Sequence, residues 1–422
     1  MQAYSTTSVR ALILATLVFA ANFSVWTLYA ALTEPLQQSL GLSLTELGIL
    51  LSAPMLTGAL LRVPAGIWVQ KYSAKSLLLW QMLLLIPPLL LLPQANTFEH
   101  YLLLGLWLGV AGSSFTLGIK YVADFFPSNQ QGTALGLFGA GNAGAAINLI
   151  LLPILDERWH WQLTGWLYTA GILLTCLLFW LLGPRQPLIP PATTRADNGF
   201  LPLLGQLRIW RLGLYYYFVF GSFLALLMWL PHYYVHAYDL SIKQAMAFTL
   251  LFVAGSSLVR SVGGWFADRY GGRVVSWSVF WICLVCLFFL SYPPTTMTIH
   301  GTSKDVTLHI GINIWWFTAL LFVMGIAQGF GRASVYKLVN DYYPQQMGTA
   351  GGLIGAMGAL GGCTLPILFG FLVDWTGFYS VTFMLLYGVS AACMIAMYLA
   401  IQTERLQQRW QYEREHNFLD QD

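Results

Sequence analysis

The sequence predicts an all-α membrane protein: twelve transmembrane helices in two six-helix halves. Three observations carry that prediction. Of 422 residues, 57% are hydrophobic and only 9% charged, where a soluble chain would carry roughly a quarter charged residues. Twelve apolar runs approach the ~20 residues a helix needs to cross a bilayer. The second half then repeats motifs of the first in the same order.

The runs fall at 11–32, 46–69, 76–94, 100–122, 132–153, 163–183, 209–232, 245–267, 274–293, 313–338, 348–372 and 379–401. The first is too long for a signal-peptide core and lacks a clear cleavage site, so it reads as a span. Between the sixth and seventh runs lies one long polar interruption, Pro184 to Arg208, which contains PRQPLIPPATTRADNG. Its proline content makes it a linker. The division is an N-terminal bundle 1–183, a cytoplasmic linker 184–208, a C-terminal bundle 209–402 and a cytoplasmic tail 403–422.

Charge sets the orientation. With both termini cytoplasmic, the inner loops and tails carry Arg10, Lys71, Lys75, Arg185, Arg195, Arg208, Arg211, Arg269, Arg273, Arg405, Arg409 and Arg414. The outer loops carry only Arg158, Lys243 and Lys304, a strong positive-inside bias. All five cysteines lie in apolar segments, and Cys283 and Cys286, despite their redox-like spacing, belong to a spanning helix. The seven histidines, His100, His160, His232, His236, His300, His309 and His416, fall in loops, at helix ends or in the tail and suggest no role.

The internal repeat is most informative around two arginines. LLRVPAGIWVQKYSAK begins at Leu60 and LVRSVGGWFADRYGGR at Leu258, so Arg62 and Arg260 occupy equivalent positions. Each stands eight residues before the helix end at Gln70 or Asp268, which at ~1.5 Å per residue is roughly 12 Å into the membrane. DFFPSNQQGTALGLFGAGNAGAA from Asp124 likewise matches DYYPQQMGTAGGLIGAMGALGG from Asp341, aligning Gly132, Gly136 and Gly139 with Gly348, Gly352 and Gly355. Arg62, Lys120, Arg260, Arg332 and Lys337 lie inside predicted helices, whereas no acidic residue lies mid-helix. Buried cations without carboxylates call for a neutralising anion. Guanidinium forks suit a small planar one.

The loop GGWFADRYGGR at Gly263–Arg273 resembles the signature between the second and third helices of the major facilitator superfamily. Its first-half copy GIWVQKYSAK is degenerate, with Gln70 replacing the acid and Ser73 the glycine. Within that superfamily the chain resembles the nitrate/nitrite porters over nearly its whole length. The residues that carry the likeness are Arg62, Arg260, GLFGAGNAGAA, YYYFVFGSF, ASVYK and GGLIGAMGALGGCTLPILFG.

The resemblance implies the major facilitator fold and a monomer in a prokaryotic inner membrane that carries nitrate and nitrite between its halves. It implies nitrate/proton symport for uptake, with nitrate/nitrite exchange as the alternative. It assigns substrate binding to Arg62, Arg260, Asn142 and Tyr216, with Phe115 or Phe330 against the anion face. Gly139, Gly141, Gly144, Gly355, Gly358, Gly361 and Gly362 are its signature glycines. Small residues let helices approach closely, and here they would also let the halves slide.

Lys120, Arg332 and Lys337 are candidates for coupling or for an anion funnel, and the lysines also stand one turn from Asp124 and Asp341. Arg332 and Lys337 are five residues apart, so one pathway holding both is not expected. Asn148 is a second candidate polar contact. Gly264, Asp268, Arg269 and Arg273 would form a cytoplasmic latch between the halves. Nothing in the chain forms a catalytic constellation, a metal cluster or a nucleic-acid surface, and no cofactor is expected. The remaining alternatives are another small anion, such as a monocarboxylate or cyanate, or a membrane sensor.

Overall fold

The computed structural model describes residues 5–127, 134–158, 163–186, 200–300, 302 and 305–416. Among these are eleven helices long and apolar enough to span, and a twelfth formed by a bent pair. They are α1 Thr6–Trp26, α2 Leu44–Lys71, α3 Ala74–Gln94, α4 Phe98–Ala123, α5 Ala134–Ile154, α6 Thr164–Leu182 and α7 Leu207–Tyr238. α8 runs Ile242–Leu258 and, after a 40° bend, Arg260–Tyr270. α9 Gly272–Leu290, α10 Ile314–Tyr342, α11 Met347–Thr376 and α12 Val381–His416 complete the set.

The repeat is visible in how helices start. α2 opens on a capping box of Ser43 with Glu46, and α8 opens on Ser241 with Gln244. Each side-chain pair satisfies two backbone N–H groups that would otherwise lack partners.

Three features depart from the sequence reading. α1 stops at Trp26, and a 3₁₀ turn Leu28–Ala30 and a short helix Thr33–Leu40 follow. The loop between α9 and α10 folds as a hairpin, β1 Thr295–His300 with β2 Asp305–Ile310, Thr295 opposite Ile310. Its alternating TTMTIH and DVTLHI suit a strand pair. The tail continues α12 as helix to His416 instead of leaving it at 402. Most of the expected linker (187–199, with Arg195) and Gly132 lie outside the described residues.

The two halves of the chain meet through α2 against α11, α5 against α8, and the α1–short helix corner against α7. The first two pairings are equivalent under the repeat. At the end away from the termini, contact is close enough that only glycine fits at two positions. A Cβ on Gly48 would strike the Pro366 carbonyl, and one on Gly370 the Leu44 carbonyl. A turn further in, Ser52 Oγ donates to the Cys363 carbonyl. Asp374 of α11 accepts from Thr45 N–H at 2.8 Å and Leu44 N–H at 3.3 Å, holding the first turn of α2 from the opposite half.

Towards the termini the halves part. Gly66 meets only Thr116 of its own half, and beside Gly264 and Gly352 there is open space. The halves are thus in tight contact at the far end and less tightly packed beside Gly66, Gly264 and Gly352.

A carboxylate at a helix N-terminus contributes about 0.3–1 kcal/mol. Asp374→Ala should therefore loosen the seal by up to about fivefold. The check is labelling of Ser52→Cys by a membrane-impermeant maleimide in a background without native cysteines. Labelling should quicken by that factor, and an unchanged rate would show that Asp374 does not hold the seal.

Candidate functional site

Where the sealed and open regions meet, three arginines are buried. Arg62, on α2, is 1% exposed. Its Nη1 donates to the Gly355 carbonyl of α11 at 2.8 Å and its Nε to the Gly112 carbonyl of α4 at 3.3 Å. Gly112 lies in a 3₁₀ stretch, Gly109–Ser113, that interrupts α4. Irregular turns free backbone carbonyls for other donors. Trp26, Phe115 and Phe220 surround the guanidinium at 5.2–5.4 Å from ring centroid to Cζ.

Arg260 is 6% exposed and begins the second segment of α8, just past the break. A Cβ on Gly139 would stand 2.9 Å from its Cζ, so Gly139 is what lets α5 lie against it. Asn142 occupies a second 3₁₀ stretch, Gly139–Ala143 in α5. With its amide turned so that oxygen faces the donors, it accepts from Arg260 Nη1 at 2.8 Å and Arg332 Nη1 at 3.1 Å. Arg332 is fully buried on α10. Its Nη2 donates to the Ser256 carbonyl at 2.6 Å and to Ser256 Oγ at 2.7 Å, and its Cζ lies 4.2 Å from the Phe223 ring centre. Arg332 Nε is buried with no hydrogen-bond partner among the described residues.

Sharing one amide oxygen holds the two Nη1 atoms within about 6 Å of each other. At an effective dielectric of ~20, unit charges that far apart repel by roughly 3 kcal/mol. Among the described residues none of the three arginines forms an ion pair with a carboxylate. Carbonyls and an amide satisfy their N–H groups without supplying a counter-charge.

Phe115 carries both faces of the cluster. Its ring lies 5.3 Å from Arg62 Cζ and 5.5 Å from Arg260 Cζ. Phe330 packs on Phe266 and Gly263 instead, so of the two phenylalanines Phe115 is the one in the cluster. Tyr216 is buried, stacked on Phe220 at 5.1 Å and edge-on to Tyr336 at 5.0 Å. A five-residue π turn, Tyr217–Gly221, follows it directly. Tyr336, not singled out from the sequence, donates to the Gly351 carbonyl at 3.0 Å and makes an edge contact with Phe115.

Arg332 belongs to this cluster and not to a funnel at the inner mouth. The lysines lie elsewhere. Lys120, 42% exposed, pairs with Asp124, and Lys337 pairs with Asp341 at 3.1 Å and Asp268 at 3.6 Å. The expected latch does not cross between halves in this conformation. Asp268 faces Lys337, Arg269 lies over Trp265, and Arg273 donates to Glu404 at 2.6 Å, all within the second half. Their partners lie one turn or one helix away.

The glycines divide by contact. Gly141 and Gly144 face α1, and Gly358, Gly361 and Gly362 face α7, so these pack each half internally and offer no sliding surface between halves. Gly139 and Gly355 are the two beside arginines of the opposite half, with Gly355 also against the Tyr336 hydroxyl. Asn148 bonds to the Ser24 carbonyl at 2.9 Å and Thr27 Oγ1 at 3.0 Å, tying α5 to α1 away from the cluster.

The pattern of the Major Facilitator Superfamily matches residues 14–303 and 306–419. The chain is 34% identical over 418 residues to the probable nitrate/nitrite antiporter NarK1 of Thermus thermophilus, covering 96% of this chain and 94% of that one. It is 27% identical to the nitrite extrusion protein of Bacillus subtilis, covering 93% and 94%. It is also 27% identical to the probable nitrate transporter NarT of Staphylococcus epidermidis, covering 92% and 95%. Among solved structures, a bacterial homolog of the human lysosomal transporter Spinster superposes with a TM-score of 0.71 over 95% of this chain and 98% of that one, at 14% identity.

Asn142→Asp would give Arg260 and Arg332 a built-in counter-ion. The variant should stay folded in detergent yet lose the thermal stabilisation that added small oxyanions give the parent protein. A thermal-shift titration reads both, and retained anion stabilisation would show that the cluster's charge does not hold the ligand.

Proposed function

The chain belongs to the nitrate/nitrite porter family of the Major Facilitator Superfamily, and we propose that it carries nitrate and nitrite through a single site formed by Arg62, Arg260, Asn142 and Tyr216. It is a membrane transporter and not an enzyme. The observation that carries the reading is the set of buried guanidiniums without a carboxylate. A planar monoanion beside Phe115 would reach the donors of Arg62 and Arg260 together. Arg332 adds positive potential from behind Asn142, and the Tyr216 and Tyr336 hydroxyls are the nearest neutral donors.

In this reading residues 1–183 and 209–402 rock as bundles around the anion, joined by 184–208, with both termini in the cytoplasm. The protein works as a monomer in a bacterial inner membrane, with lipid around its apolar faces. The far end is then the outer face, and the conformation described is open inward.

Exchange fits the geometry better than proton symport. Arginine does not release its proton in proteins. The lysines stand at helix ends with carboxylate partners. A cluster that repels itself when empty reorients more readily when loaded, and that is the requirement of an exchanger. The low charge density of nitrate and nitrite also suits a site that offers planar forks and aromatic faces in place of water.

Two measurements test the proposal. Labelled nitrate uptake into proteoliposomes should be driven by nitrite trapped inside, without a proton gradient. Uptake that instead requires the gradient and ignores internal nitrite would establish symport, and no movement of either anion from folded protein would end the nitrate reading. Arg62→Lys and Arg260→Lys keep the charge but lose the fork. Each should lower uptake by at least about tenfold, the loss of about 1.4 kcal/mol from a charge-assisted pair.

A further inference from the structure

Outside the anion site, one cluster of titratable side chains joins the two halves. His232 and His236 stand one turn apart on α7, and Glu34 lies in the first turn of the short helix Thr33–Leu40 of the first half. Glu34 Oε2 is 3.3 Å from His232 Nδ1 and 3.3 Å from His236 Nε2, and the three ligand atoms lie within 4.8 Å of one another.

We propose that Glu34, His232 and His236 bind a divalent cation of the zinc class, which fastens the outer gate shut. Zinc holds imidazole nitrogen at about 2.0–2.1 Å and carboxylate oxygen at about 2.0–2.2 Å in a tetrahedron. The edges of that tetrahedron are about 3.3–3.5 Å. The two Glu34–imidazole separations of 3.3 Å match those edges and are long for a direct N–H···O bond, whose usual length is about 2.9–3.0 Å, while the two imidazole nitrogens lie within 4.8 Å of each other. Two imidazoles and one carboxylate are a common zinc donor set, leaving the fourth position for water.

The surroundings orient the donors as metal ligands are usually oriented. Glu34 Oε1 accepts from Gln38 Nε2 at 2.8 Å, which leaves Oε2 towards the histidines. His232 points Nδ1 towards Glu34 and lies with Nε2 3.5 Å from the Tyr379 hydroxyl. His232 is fully buried while the His236 side chain is 37% exposed, so entry is past His236 from the far end.

Since the ligands come from both halves, the complete site exists only while the far end is closed. Binding to one conformation alone favours it in proportion to ligand concentration over Kd, about a hundredfold at 100 Kd. The cation would thus hold the transporter inward-open. That consequence rests on the alternating-access reading above, whereas the binding itself does not.

The first test is calorimetric titration of the detergent-purified full chain with zinc chloride. One saturable site is expected, weakened at least about tenfold in His236→Gln and in Glu34→Gln. His236→Gln, at the exposed position, is the variant least exposed to misfolding. No saturable binding, or equal binding in both variants, overturns the site. In proteoliposomes, zinc on the outer face should slow anion uptake by the parent protein and not by His236→Gln. Binding without that inhibition overturns the clamp. Failure of uptake before zinc is added counts against the transport reading alone and leaves the titration to decide the metal site.

Discussion

Three guanidiniums held out of water, with no carboxylate beside them among the described residues, set the terms for the rest of this molecule. An isolated charge moved into a medium of low dielectric loses hydration worth many kcal/mol, and neighbours must replace it. Here the replacements are neutral. The carbonyls of Gly112, Gly355 and Ser256 accept hydrogen bonds, Asn142 bridges two of the arginines, and aromatic faces supply quadrupole attraction. Irregular backbone gathers at the same level: 3₁₀ stretches in α4 and α5, a π turn in α7 and the break in α8. In hydrocarbon such turns are tolerated only where protein or a cavity meets the freed groups. The cluster and the helix defects are one arrangement.

Much of this was legible from residues. Span count, the repeat, and Arg62 and Arg260 at equivalent depths follow from hydropathy and periodicity, and the lack of mid-helix acids pointed to an anion. The links between side chains were not legible. Nothing in the spacing of Asn142, Arg260 and Arg332, which lie on three helices, says that one amide oxygen meets two guanidiniums. The five-residue offset between Arg332 and Lys337 did say that they diverge, and they do: one enters the cluster and the other reaches Asp268 and Asp341. His232 and His236 looked like helix-end residues because the apolar run seemed to stop at 232. α7 continues to Tyr238, and that extra turn makes a pair on one face. The signal available was the four-residue spacing itself.

The glycines show where pattern and geometry separate. Small residues in GLFGAGNAGAA and GGLIGAMGALGG mark close helix packing, but sequence cannot say which helix is approached. Most approach their own half. The surfaces that must part are lined by Gly48, outside both motifs, and by Gly370, the last residue of GGLIGAMGALGGCTLPILFG, and their need for glycine arises from backbone on the opposite half. A motif conveys local crowding, whereas a gate depends on a partner in the other half of the chain.

The position of the seal relative to the cluster bears on coupling. Contacts between halves begin at the far end with Asp374 and Thr45, pass through Ser52 and Cys363, and end at Arg62 with Gly355. Arg62 thus ends the α2–α11 run of contacts and, on the proposed reading, also walls the anion site. Opening the far end would require its Nη1 to leave the Gly355 carbonyl, stranding a buried donor unless another acceptor takes over. A bound oxyanion can be that acceptor, with charge assistance that a carbonyl lacks. On the proposed reading, loading the site would lower the barrier to breaking this bond, while the Asn142 bridge to Arg260 and Arg332 and the Glu34 contacts with His232 and His236 must part as well. The change of acceptor at Arg62 would tie that one step to the anion without a proton leaving the guanidinium.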